Sequence, residues 1–108
     1  MVYHITTPEH FAAFADKNYY ESAFLASEGF IHCSTLKQLK DTADRYYHNI
    51  NEITILHIDE QKLNSDLKYE KAKTGEDFPH IYGAINKQAI TEVKKYYKLG
   101  ESFDIETT

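Results

Sequence analysis

Tryptophan is missing from this chain, and one methionine, one cysteine, two prolines and four glycines occur among its 108 residues. A lone Cys33 excludes an internal disulfide, and with no secretory leader the chain is expected in the reducing cytoplasm. No apolar run approaches the roughly 20 residues of a membrane span. Arginine is nearly absent: eleven of the twelve basic residues are lysine and the other is Arg45. The net charge of −5 argues against non-specific nucleic-acid binding, which depends on Lys and Arg neutralising phosphates. There is no glycine-rich phosphate loop of the dinucleotide or P-loop type, and no nucleophile elbow surrounds Ser34.

What remains is the composition of a soluble globule, 42% apolar and 27% charged. Its length is expected to form one domain over residues 1–108 that buries about two-thirds of its unfolded surface. The nine tyrosines suit a core with wet hydroxyls and equally a stacking surface for a planar ligand.

The element order predicts an α+β fold with a mixed or antiparallel sheet. Val2 to Ile5 reads as a first strand, followed by a helix with Thr7 as N-cap, Pro8 in its first turn and Phe11, Ala12, Phe14 and Ala15 as its apolar stripe. Residues 16–20 are expected as a loop, and 21–27 as a short helix stopped by Gly29. Ser34 or Thr35 caps the best helix, with Leu36, Leu39, Ala43, Tyr46 or Tyr47, and Ile50 on its apolar face. Ile53 to Ile58 is apolar on both faces and so reads as a central strand. A helical turn at 59–63, a strand at 67–71, a polar loop at 72–77 and a strand through His80 follow. A short helix around 86–90, a strand at 93–99 and an edge strand at 102–105 complete the chain.

Three histidines stand in similar settings. If Phe30 to Ser34 is extended, alternation puts Phe30, His32 and Ser34 on one face, with Ile31 and Cys33 on the other. His4 lies between Tyr3 and Ile5, and His80 and Tyr82 share a face with Ile81 behind them. A single cleft lined by His4, His32 and His80 is expected. His10 and His48 read as solvent-facing helix residues, and His57 as filler at a sheet end. Glu70 is either an exposed edge charge or a carboxylate at the cleft rim able to stabilise positive charge. Three histidines with Cys33 or Glu70 match zinc by ligand type, but the spacing matches no local metal motif, so no metal is assigned. Cys33 cannot take His32 as its base, because adjacent strand residues face opposite ways.

Tyr20-Glu21, Glu28-Gly29-Phe30-Ile31-His32-Cys33-Ser34, Asp59 with Leu63, Tyr69-Glu70 and Phe78-Pro79-His80-Ile81-Tyr82-Gly83 resemble, in order and spacing, family 952 of the domains of unknown function. Tyr3-His4-Ile5 fits the family's start. The resemblance implies kinship by fold with the ADP-ribosyltransferases, an α+β fold with split sheets around an NAD cleft. It implies that His4 contacts the nucleotide, that His32 and Ser34 support the nicotinamide ribose, and that Tyr47 or Tyr46 stacks on a ring, with Tyr82 beside them as a cofactor-binding position. Glu70 or His80 would be the third group, so Glu70, His80 and His32 are the implied catalytic set. The implied chemistry is cleavage of the nicotinamide–ribose bond through an oxocarbenium-like state. Phe11, Phe24, Lys68 and Ala84 depart from the family, which often has Trp, Ser, Arg and Pro there. The loss of Arg at Lys68 weakens bidentate phosphate binding.

The leading expectation is an ADP-ribosyltransferase-like domain that binds NAD or an ADP-ribose-type nucleotide and transfers or hydrolyses ADP-ribose. A non-catalytic small-ligand or nucleotide-binding module is the alternative, and a metal-dependent hydrolase the third. The expected partner is a small nucleotide, with no membrane; the oligomeric state is left open.

Overall fold

Strand β1 (Val2–Thr6) is buried along its whole length, and its alternation serves two cores at once. Val2 enters a cluster with Tyr20, Ile31, Cys33, Leu56 and Ile58, while Tyr3 and Ile5 join Leu39, Ala43, Ile53 and Ile55 on the other side. The computed structural model describes residues 1–105 of the expected 1–108 domain, and these form one compact body with a radius of gyration of 13.2 Å.

Helix α1 (Pro8–Ala12) begins where Thr7 accepts a hydrogen bond from the His10 amide, and it stops before Phe14 and Ala15. The expected loop at 16–20 contains a strand, β2 (Tyr19–Tyr20). Helix α2 (Leu25–Glu28) is shorter than the helix expected over 21–27, and Gly29 ends it in the left-handed region at φ 84°. Only Ile31–His32 of the cleft stretch is regular strand, β3. Helix α3 (Leu36–Tyr46) starts at Thr35, whose amide donates to Gln38 Oε1 at 2.9 Å. Tyr47, not Tyr46, packs on the core side of this helix; Tyr46 is exposed.

Strand β4 (Glu52–Ile58) is central, as its two apolar faces require. After a 3-10 turn at Glu60–Lys62 come β5 (Asp66–Lys71) and β6 (Asp77–Tyr82). The helix expected at 86–90 is instead a two-residue strand, β7 (Ile85–Asn86), and a 3-10 turn at Lys87–Ala89. Strands β8 (Ile90–Leu99) and β9 (Ser102–Phe103) follow, the last shorter than expected.

Every strand pair among the described residues is antiparallel, so the mixed-sheet option falls away and the chain is mostly β. One sheet has the order β1-β4-β8-β9, a second β3-β6-β5, and β2 pairs with β7. The two larger sheets join where Tyr3 and Ser34 exchange backbone hydrogen bonds of 2.9 and 2.7 Å. That bridge carries the end of β3 against β1 and creates the cleft.

Candidate functional site

On one side of the junction lies a cavity of about 220 Å³. His4, Ser34, His32, Tyr47 and Tyr20 reach its wall from four different elements, and His10, Phe24 and Glu28 close it from α1 and α2. His4 forms the floor. Its Nδ1 is 2.7 Å from the His32 carbonyl and its Nε2 is 2.9 Å from the Tyr20 hydroxyl. A carbonyl can only accept, so Nδ1 carries the proton and Nε2 accepts from Tyr20. Burial lowers the His4 pKa to about 4, so the ring is neutral at neutral pH. Both nitrogens are thus committed inside the protein, and the same burial pushes the Tyr20 hydroxyl up. Tyr47 donates to the Ile5 carbonyl at 3.2 Å, and Ser34 faces Thr42 at 3.5 Å. Both hydroxyls line the cavity and bond to other residues of its lining.

A second cavity of about 270 Å³ shares His32 and Thr42 with the first. His80 and Phe78 form one wall, Asp41, Arg45 and Tyr46 of α3 another, and the 72–74 turn a third. His32 and His80 are direct cross-strand partners with ring centroids 5.4 Å apart. Neither ring nitrogen of His32 has a hydrogen-bond partner among the described residues. Its pKa is lowered by burial and, less, by His80.

His80 is held from two sides. Phe30 stacks on it with centroids 4.1 Å apart and planes 20° from parallel, and Glu70 Oε1 lies 2.8 Å from its Nδ1. The carboxylate accepts, so Nδ1 carries the proton, and Nε2 has no hydrogen-bond partner among the described residues; the residue lines the second cavity. Tyr82 also donates to Glu70, and these two bonds hold the Glu70 carboxyl below the usual carboxylate range. Glu70 and His80 are therefore one unit, and neither lines the first cavity. The three histidines do not share one pocket: His4 and His32 line the first, His32 and His80 the second. Among the described residues, no group of three or more His, Cys, Asp or Glu is placed to hold a metal ion. No described helix is long and apolar enough to cross a membrane.

Several lining residues escape sequence reasoning. His10 is not solvent-facing; its Nε2 donates to the Glu21 carbonyl at 2.8 Å, and its ring meets those of Phe14 and Tyr20. The signal available was its place three residues after the cap Thr7, on the turn that faces back to the helix start. Tyr20 is fully buried because β2 pairs with β7, a partner 65 residues away that no local pattern announces. Phe24 is 64% exposed at the cavity mouth. Glu28, read as part of a motif, is the one carboxylate among the residues lining the first cavity.

Residues 5–93 match the model of a family described as "Protein of unknown function (DUF952)". The fold is similar to the crystal structure of protein CC0527 from Caulobacter crescentus, at 25% identity and a TM-score of 0.85 over 94% of this chain and 90% of that one. The solution structure of CC0527 aligns with a TM-score of 0.80 at 25% identity, over 94% and 89% of the two chains. No curated protein matches the chain.

Proposed function

The chain belongs to this family of unknown function, and from its cleft we propose that it binds NAD or an ADP-ribose-type nucleotide. The observation that carries the proposal is the sharing of His32 and Thr42 by two adjoining cavities of different character. One is walled by aromatic rings suited to a planar base, the other by basic side chains suited to an anionic group. Phe24, exposed at the mouth, offers the stacking surface, with buried Tyr20 behind it, and His32 sits where base and ribose would meet the anionic part. The meeting of two antiparallel sheets at the Tyr3–Ser34 bridge supports kinship with the split-sheet cleft of the ADP-ribosyltransferases.

Transfer or hydrolysis of ADP-ribose would break the nicotinamide–ribose bond and develop positive charge on the ribose. A carboxylate beside that carbon lowers the barrier. Glu28 lines the base cavity, whereas Glu70 acts through His80. A non-catalytic binding module is the second reading. It is favoured by the internal commitment of both His4 nitrogens and by the engagement of Glu70 with His80 and Tyr82.

The test is a titration of isotope-labelled protein with NAD and with ADP-ribose, followed through amide signals. Saturable shifts at Tyr20, Phe24, His32 and Ser34 are expected. No shift at millimolar ligand would remove the nucleotide reading. If nicotinamide is released, Glu28→Gln and Glu70→Gln separate the two carboxylates: the variant that loses turnover but keeps affinity identifies the charge-stabilising group.

A further inference from the structure

We propose that the second cavity is a phosphoryl-binding site, taking a phosphate monoester or pyrophosphate group between Arg45, Lys73, His32 and His80. The placement of charge is the first argument. In a chain of net charge −5, the only arginine stands on the wall of this cavity, and a lysine stands on the facing turn. Asp41 is the one carboxylate lining it, and it is already paired with Arg45, Nη2 to Oδ2 at 3.1 Å. A guanidinium has five N–H donors in a planar fork, so one bond to Asp41 leaves an edge free for two phosphate oxygens.

The second argument is preorganisation. Lys73 and Thr74 sit at the centre of a turn closed by hydrogen bonds from the Gly75 amide to the Ala72 carbonyl (3.0 Å) and from the Ala72 amide to the Glu76 carbonyl (2.8 Å). The turn therefore presents the ammonium stem from a fixed base. His80 is clamped by Phe30 and Glu70, so this lining ring and its free Nε2 are held in a defined place. A phosphate monoanion brings its own proton and donates P–O–H to that nitrogen; a dianion binds when His80 carries the proton instead. His32, with no protein partner for its ring nitrogens among the described residues, supplies the remaining polar contact.

This deepens the nucleotide reading and rests on it for the source of the phosphates, while its own test needs no nucleotide. The full chain is titrated with pyrophosphate alone, following the ring C–H signals of His32 and His80 and the amide of Lys73. Saturable shifts at these residues are expected, with His57, which lines neither cavity, as an unmoved control and affinity at least about tenfold lower in Arg45→Ala, the loss of one charge-assisted contact. Lys73→Ala should weaken binding in the same direction. No saturable shift of His32 and His80, or unchanged affinity in Arg45→Ala, overturns the site. NAD shifts at Phe24 without any response to pyrophosphate would also overturn it and leave the base cavity standing. Pyrophosphate binding lost in Arg45→Ala, with no NAD response at Phe24, supports the site while removing the nucleotide reading. Equal binding of inorganic phosphate, pyrophosphate and ADP-ribose would identify the free phosphoryl group as the recognised element and also supports the site.

Discussion

His32 and His80 face each other in register across β3 and β6, with their ring centroids 5.4 Å apart. A proton on one ring disfavours a proton on the other. Burial is the larger cause of the lowered His32 pKa and His80 the smaller. In His80→Gln the His32 ring should therefore titrate at higher pH than in the wild type, yet still below the ordinary histidine value. A pH series of ring C–H signals measures this; an unmoved His32 midpoint would mean the two rings do not couple.

His4 makes a separate prediction about stability. Its folded pKa, about 4, lies below the ordinary histidine value of 6.5, so the unfolded chain takes up the proton first as pH falls. The contribution of His4 is full above 6.5 and is lost between 6.5 and about 4. The drop converts to about 3 kcal/mol. Chemical denaturation at intervals across that window should show falling stability, with a shallower slope in His4→Gln. Equal slopes in both proteins would contradict a buried neutral His4.

Tyr20→Phe keeps the ring in the aromatic cluster but removes the donor to His4 Nε2. A buried acceptor left unpaired costs about 1–3 kcal/mol. Urea midpoints should shift by that amount while the near-ultraviolet spectrum stays native-like. A neutral substitution would show that water or another group satisfies His4.

Gly83 ends β6 at φ 144°, and a Cβ there would lie 2.7 Å from Ser65 Oγ. That hydroxyl already donates to the Ala84 carbonyl at 2.6 Å and has little room to yield. Gly83→Ala should destabilise by about 1–3 kcal/mol through backbone strain and the clash. Thermal unfolding checks this, and Gly83→Ala in a Ser65→Gly background should recover the clash part only.

Much of the local structure was legible because its causes are local. The cap at Thr7 before Pro8, the reciprocal Thr35–Gln38 contact and the left-handed Gly29 all lie within one turn of the residues they control. Alternation in β3 sent Ile31 and Cys33 into the core and left His32 on the cleft face, as a period of two demands. Where the cause was distant, the reading failed. Tyr19–Tyr20 became a strand only because Ile85–Asn86 offered it a partner. The choice between Tyr46 and Tyr47, open in the sequence, fell to Tyr47 where the chain leaves α3.

The site divides the same way. From the sequence came the family, through the resemblance of its motifs, and also the three histidines and the two apolar faces of β4, since side-chain type and periodicity carry the latter without reference to the rest of the chain. Tertiary structure decided how the histidines are used. Glu70 pairs in register with Phe78, so it meets His80 on the diagonal, and only the β5–β6 register makes them one unit. The Tyr3–Ser34 bridge set His4 beneath His32 and turned both its nitrogens inward. A hydrogen bond spans about 3 Å whatever the separation in sequence, so its partners become known only once the strands have been placed.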